Sequence, residues 1–532
     1  MHMANRPIKP RREGAAFRPS WESIEERAPS VLREEGPTMP RYVAVAGLML
    51  ITLGAAALVF RALNRPYLIP SGWGIFIAAL GVLAVAYHAF NEKDFQFRRL
   101  YAALGWMLFA AAIFFRVFPL DKTPGDGFLR YGTICQAVAL LFLLTFLRNE
   151  SDSNIRGYTL NLLGFAALAN ALAGLIGGMI SETFLLDTGV IHLIFGLLFA
   201  CAYISCQGGD TPQGFWAGRG VGIIGALLVL LALGYSILPW VLFRYNITGR
   251  PPRAFFLPSG LILLYLGVEY LIVYLGVCSD SKLVVLTRRE LASFFCSPVV
   301  YVLMIGMSIM GWYLYLLFVA DIVSAPPQMG SQMMEPIVRN ILVSFMALIP
   351  LIILVPVITM RLLSDEKRTG TLEVLLTAPV DEWQVVLAKF FAGLRVFMLC
   401  WYLWGVFFVA LRIEGGQEFD YRPIITFYVA LLCMGAGFIG MGLFFSSVTR
   451  HQIMAAILTF VIMLVLLVLF FVGREVREIA WLSTVITYVS YVDLWISSAS
   501  GTITPRFLVF NLSMAIIWVF VSIKVLEARK WS

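Results

Sequence analysis

The stretch QIMAAILTFVIMLVLLVLFFV, residues 452 to 472, runs for 21 positions without a charged side chain. A helix needs about 20 such residues to cross the roughly 30 Å hydrocarbon core of a bilayer, where every backbone polar group must be satisfied within the protein. Comparable stretches recur along the chain and predict fourteen spans, at residues 41 to 62, 68 to 90, 99 to 119, 129 to 147, 158 to 180, 186 to 206, 217 to 243, 254 to 278, 298 to 320, 338 to 360, 388 to 411, 424 to 448, 452 to 472 and 505 to 526. A soluble domain carries about 25% charged residues; this chain of 532 residues has 14% charged and 60% hydrophobic, with a mean hydropathy of +0.84. The fold class that follows is all-α, a polytopic helical integral membrane protein. A secreted disulfide scaffold, a disordered chain and a soluble multidomain enzyme are excluded.

Residues 1 to 40 hold six prolines, seven Lys or Arg and six Asp or Glu, the composition of a disordered tail. The first apolar block starts only near Tyr42, so no signal peptide is expected. An even number of spans puts both termini on one side. The basic residues of the tails, with Arg288, Arg289, Lys367 and Arg368 in loops on that side, make it the cytoplasm, although Arg244, Arg250 and Arg253 then fall outside. The net charge of +8 reads as this loop bias rather than as nucleic-acid binding. The seven cysteines lie in or beside apolar blocks with no metal-type spacing, as small hydrophobes do. The chain divides near residue 280: an N-terminal membrane domain of about eight helices, 41 to 280, and a second half, 281 to 532, broken by polar segments at 279 to 297, 361 to 387 and 473 to 504.

In LTRRELASFFCSPVVYV, Thr287 and Glu290 have capping-box spacing and Leu286 and Leu291 that of a hydrophobic staple, predicting a helix that starts at Arg288. Leu291, Phe294 and Phe295 share a face, as in an interfacial helix over 287 to 297 or a simple linker helix. Pro298 ends it and opens the next span. The segment RLLSDEKRTGTLEVLLTAPVDEWQVVLAK, 361 to 389, is too long for a tight helix connection. Gly370 should break the outgoing helix, Thr371 to Leu376 should form a short helical stretch, and Asp381 with Gln384 should cap the next one. Its leucines need cover, and a partner protein would supply it; otherwise the segment is a solvated charged loop.

The stretch VITMRLLSDEKRTGTLEVLLTAPVDEWQVVLAKFFAG resembles the signature region of ABC-2-type transporter permeases, especially the branch associated with gliding motility and copper-enzyme maturation. RRELASFFCSPVVYV resembles the family's amphipathic helix, GMGLFFSSVTRHQIMAAI its fourth-to-fifth span junction, and FNLSMAIIWVFVSIKVLEARKW its last helix and basic tail. The resemblance covers about residues 281 to 532 and implies a six-helix, type V exporter-like permease domain in the plasma (inner) membrane. It implies that Asp365, Glu366, Lys367, Arg368, Gly370, Thr371, Glu373 and Leu376 dock an ATPase. It also implies a second cytosolic junction at Ser446, Ser447, Thr449, Arg450 and Gln452, and an amphipathic helix with Arg288, Arg289, Glu290 and Phe294. Short re-entrant helices are expected within 479 to 500. The implied partners are cytosolic ABC ATPase subunits, a second permease subunit, membrane lipid and an accessory periplasmic protein. No cofactor is bound by this chain in that reading; ATP and Mg belong to the ATPase.

No GxxxxGK[ST] stretch occurs, so the phosphate-cradling loop must lie on another polypeptide. The four histidines are scattered singly, and there is no HExxH or GxSxG. Two ionisable residues inside spans are candidates for function. Glu269 serves either a functional or subunit contact or a structural partner such as a Tyr hydroxyl or an arginine, and Arg395 is expected near the cytoplasmic interface. Gly435, Gly437, Gly440 and Gly442 suit close helix contact. A membrane enzyme acting on lipid-linked substrates is the competing reading, and a non-catalytic membrane scaffold a third.

Overall fold

A computed structural model describes residues 39–62, 71–91, 94–117, 131–150, 152–181, 184–209, 211–245, 259–324, 337–371, 380–415, 420, 422–475 and 480–530. The expected N-terminal tail, apart from its last two residues, lies outside them. Every regular element among the described residues is helical. In chain order these are α1 (Met39–Ala62), α2 (Ser71–Asn91), α3 (Phe95–Val117), α4 (Thr133–Asn149), α5 (Ser153–Ile180), a π-helical turn (Leu185–Gly189), α6 (Val190–Gln207), α7 (Pro212–Arg244) and α8 (Leu261–Cys278). There follow α9 (Lys282–Cys296), α10 (Pro298–Ser324), α11 (Ile337–Leu342), α12 (Phe345–Thr359), α13 (Ser364–Thr369), α14 (Glu382–Gly415), α15 (Arg422–Val448), α16 (Gln452–Glu475), α17 (Ala480–Val489), α18 (Tyr491–Ala499) and α19 (Pro505–Lys530). The predicted spans fall on helices, but 338 to 360 is divided between α11 and α12, where Val343 and Ser344 interrupt the helix, and 186 to 206 takes in the π-helical turn as well as α6. Eleven are long and apolar enough to cross a membrane, and the apolar stretches Tyr42–Ala56, Phe76–Asn91 and Thr133–Arg148 are shorter.

The chain forms two compact units, Met1–Tyr101 and Ala102–Ser532. In the first, α1 and α2 meet through glycines: a Cβ on Gly54 would lie 2.5 Å from the carbonyl oxygen of Gly74, and one on Gly81 would lie 2.6 Å from that of Gly47. His88 Nδ1 sits 2.8 Å from Tyr101 Oη within the same unit.

The second unit holds two hydrophobic cores. One is built from α3 to α8 around Leu143, Phe146, Leu163, Leu193, Phe199, Leu228 and Tyr270. The other is built from α10 to α19 around Leu351, Val355, Phe397, Trp401, Phe427, Ile439 and Trp495. Within this second core the helices are not equivalent. The apolar windows of α12, α14 and α15 are 67%, 67% and 78% buried, whereas those of α10, α16 and α19 are 17–28% buried. Three helices therefore form the centre and three the rim.

The glycines of α15 explain its central place. A Cβ on Gly435 would stand 2.4 Å from the Phe397 ring of α14, and one on Gly442 would stand 2.3 Å from Thr359 Oγ1 of α12. Gly437 and Gly440 face Asn511 and Ala515 of α19. All four serve contacts inside this chain, where small residues let backbones approach. α12 contains Pro350 and Pro356 within its length.

Local rules set several boundaries. α9 starts at Lys282, capped by Ser281, whose side chain accepts from Val284 N at 3.4 Å. The predicted start at Arg288 is therefore corrected: Thr287 lies inside the helix, and its hydroxyl donates to the Leu283 carbonyl at 2.7 Å. A serine one turn and a half upstream offers the same capping chemistry, and Lys282 to Leu286 contain nothing that breaks a helix. Pro298 opens α10 as expected. α14 starts where Asp381 and Gln384 predict, with Asp381 N donating to Gln384 Oε1 at 3.3 Å.

Candidate functional site

Beyond α12 the chain turns through Met360 to Leu363 and forms α13, whose sequence is SDEKRT. Gly370 ends it with φ +73, the left-handed conformation that glycine adopts without a Cβ penalty. Thr371 is the last residue described here, and its hydroxyl lies 2.9 Å from that of Thr369. Glu373 and Leu376, with the expected helical stretch to Leu376, lie outside the described residues.

α13 is tied to the end of α15 and the start of α16. Ser446 Oγ, fully buried, accepts from the backbone N–H groups of Leu363 and Ser364, each at 3.0 Å. Lys367 Nζ donates to the carbonyl oxygens of Ser446 at 3.1 Å and Thr449 at 3.4 Å, and to that of Ser447. Carbonyls at a helix C-terminus lack intrahelical donors and carry the negative end of the macrodipole, so a lysine there meets both needs. Gln452 Nε2 donates to Asp365 Oδ1 at 2.5 Å, and Arg368 Nη2 donates to the same oxygen at 3.2 Å. Arg450 is exposed in the turn between α15 and α16.

A second set of ties runs to α9 and α14. Lys389 of α14, 1% exposed, donates to Glu366 Oε1 at 2.6 Å and to Glu290 Oε2 at 2.9 Å. Arg361 Nη1 donates to Ser297 Oγ at 2.6 Å. Leu291, Phe294 and Phe295 of α9 pack on the core, while Arg288 and Arg289 are exposed. Arg288 Nη1 reaches the Gly276 carbonyl at 3.5 Å.

The amphipathic helix, the segment after α12 and the junction between α15 and α16 thus converge at one end of the bundle. Glu366 and Lys367 face inward and hold α13 in place, and Asp365, more exposed, adds the tie to Gln452. Arg368, Gly370 and Thr371 are exposed. Lys389 was missed as a site residue because it read as the end of a charged loop, yet it is the cation on which α9, α13 and α14 meet. The signal that could have found it is a lone lysine followed directly by the apolar run FFAGL.

The family model described as ABC-2 family transporter protein matches residues 190–478, more than half of the chain. The chain belongs to the ABC-2 transporter family. Comparison with curated proteins and with solved structures gives no match. Family membership makes this ABC-2 permease a multi-pass membrane transport component rather than a catalytic enzyme. The match starts at α6, earlier than the resemblance at 281 suggested, and stops before α19. α6 to α8 carry too few polar landmarks for their kinship to be legible by motif.

The two intramembrane candidates of the permease meet each other. Arg395 Nη1 of α14 donates to Glu269 Oε2 of α8 at 2.5 Å, and Tyr402 Oη donates to Glu269 Oε1 at 2.7 Å. Tyr265 Oη contacts Tyr402 Oη. Of the partners weighed for Glu269, the structure supplies both the arginine and the tyrosine. Arg395 of α14 thus pairs with a residue midway along α8. His192 bonds Asn170, Nδ1 to Oδ1 at 2.9 Å, inside the other core. Cys400 and Cys433 are buried, whereas Cys296 is exposed, so the reading of cysteines as small buried hydrophobes does not extend to it.

Proposed function

We propose that the chain is the membrane-spanning permease subunit of an ATP-driven exporter, and that α13 with the turn at Gly370 docks a separate ATPase. The observation that carries this reading is the double anchoring of α13. Ser446, Lys367 and Gln452 tie it to α15 and α16, and Glu366 ties it through Lys389 to α9 and α14. A segment so fixed on its inner side and exposed at its tip transmits a push to several helices at once. Family membership supports it, since ABC-2 permeases assemble with an ABC ATPase in general.

In this reading residues 281 to 532 form the permease domain of an inner-membrane complex and both termini are cytoplasmic. The partners are two ATPase subunits carrying ATP and Mg, and a second permease subunit. The test is affinity purification of the intact complex, with identification of a bound protein that hydrolyses ATP. Arg368→Glu combined with Thr371→Glu should remove that ATPase while the chain still inserts and folds. Recovery of the ATPase at wild-type yield with the double variant sinks the docking assignment.

A further inference from the structure

α14 is gripped at two points by one continuous stretch of chain. α8 leads through Ser279 to Ser281 into α9. Glu269 of α8 holds Arg395, and Glu290 of α9 holds Lys389, six residues earlier on α14 and about 9 Å along its axis. The deeper grip is built with register. Tyr265 and Glu269 are one turn apart on α8, and Arg395 and Tyr402 are two turns apart on α14, so each pair shares a face. Both carboxylate oxygens of Glu269 are engaged, one by Arg395 and one by Tyr402, and Tyr265 adds its hydroxyl to Tyr402.

An ion pair in such a place is a poor source of stability compared with well-packed apolar side chains, and its best-attested use is fixing register. Ionisable residues inside membrane spans are rare and mark function by default. Glu269 belongs to the helix that closes the α3 to α8 core. Arg395 belongs to the helix whose start is tied to α13 through Lys389 and Glu366.

We infer that the α3 to α8 bundle is a moving part of the permease, registered on α14 by the Glu269–Arg395–Tyr402–Tyr265 clamp, so that displacement of α13 is passed along α14 to the bundle. This rests on the proposed docking of an ATPase at α13. The bundle is then neither a passive anchor nor a separate enzyme. Its position is set by the nucleotide state of the partner.

The experiment is hydrogen–deuterium exchange on the full chain bound to its co-purified ATPase in nanodiscs, with and without a non-hydrolysable ATP analogue and Mg. In the wild type the analogue should change exchange at least twofold both in residues 361–371 and in residues 272–281, at the end of α8. In Glu269→Gln/Arg395→Gln, which leaves no unpaired charge, the response at 361–371 should persist and that at 272–281 should be lost. Tyr402→Phe, which deletes one hydroxyl, should at least halve the second response and gives the same comparison if the neutral pair does not reach the membrane. A wild-type response at 361–371 without one at 272–281 overturns the inference, and so does a response at 272–281 that survives both variants. No response at 361–371 overturns the docking reading itself, and this inference with it.

Discussion

Lys389 Nζ stands 2.6 Å from Glu366 Oε1, joining a helix that crosses the core to the short segment that projects from it. The lysine side chain is 2% exposed and the glutamate 23%, and Glu290 closes the other side at 2.9 Å. One buried cation between two carboxylates holds three elements in a single arrangement. Removing it leaves charge behind, which is why its loss is informative.

Lys389→Met should therefore destabilise the protein by about 3–5 kcal/mol, the range for breaking a buried pair by deleting one partner. Adding Glu366→Gln to Lys389→Met should recover part of that loss, since one stranded carboxylate is neutralised. Thermal unfolding in detergent followed by size-exclusion chromatography reads both. Equal melting temperatures for Lys389→Met and the wild type would show that the pair does not hold the junction.

Ser446→Ala removes the acceptor for two buried backbone donors, those of Leu363 and Ser364. Unsatisfied buried donors cost about 1–3 kcal/mol, and the loss falls on the turn that aims α13. The expected result is lower stability together with weaker ATPase co-purification. Ser446→Thr, which keeps a hydroxyl, should fall between the two.

At Gly370 no heavy atom of the described residues, its chain neighbours apart, lies within 4 Å of a notional Cβ, while φ is +73. The cost of substitution is then purely one of backbone conformation, about 1–2 kcal/mol for an ordinary L-residue. Gly370→Asn should be tolerated and Gly370→Val should not. ATPase co-purification compared at equal expression separates them, and equal yields for the two would refute a left-handed requirement.

The start of α9 makes a paired prediction. Ser281→Ala should cost about 1 kcal/mol, as loss of an N-cap does, whereas Thr287→Ala, in mid-helix, should change stability by only a few tenths of that. A reversed order would place the cap at Thr287 after all.

That reversal also illustrates what a linear reading holds. The membrane spans were legible because apolar runs without charges, such as 452 to 472, have few other fates. The start of α14 was legible because Asp381 and Gln384 are local to it. Thr287 misled because a capping box is a local pattern too, and Ser281 satisfies the same need earlier on a sequence that nothing interrupts. The junction was legible only in pieces. Ser446 and Leu363 are 83 residues apart and Glu290 and Lys389 are 99 apart, and no periodicity links such positions. Glu269 and Arg395 each stood out as costly in a membrane, but only the fold shows that each is the other's remedy.

α12 enters the junction with prolines at 350 and 356. A proline has no amide hydrogen to give to the carbonyl four residues earlier, so the ladder of α12 lacks the rungs to Met346 and Ile352. At each of these levels the helix is held by one backbone hydrogen bond fewer than its neighbours, and proline is where helices bend. The helix that leads into α13 is thus more weakly laced along its own length, while its end is bolted down by Ser446 and Lys367. A load applied at the tip meets stiffness first and give afterwards, the order of parts found in a spring-loaded lever.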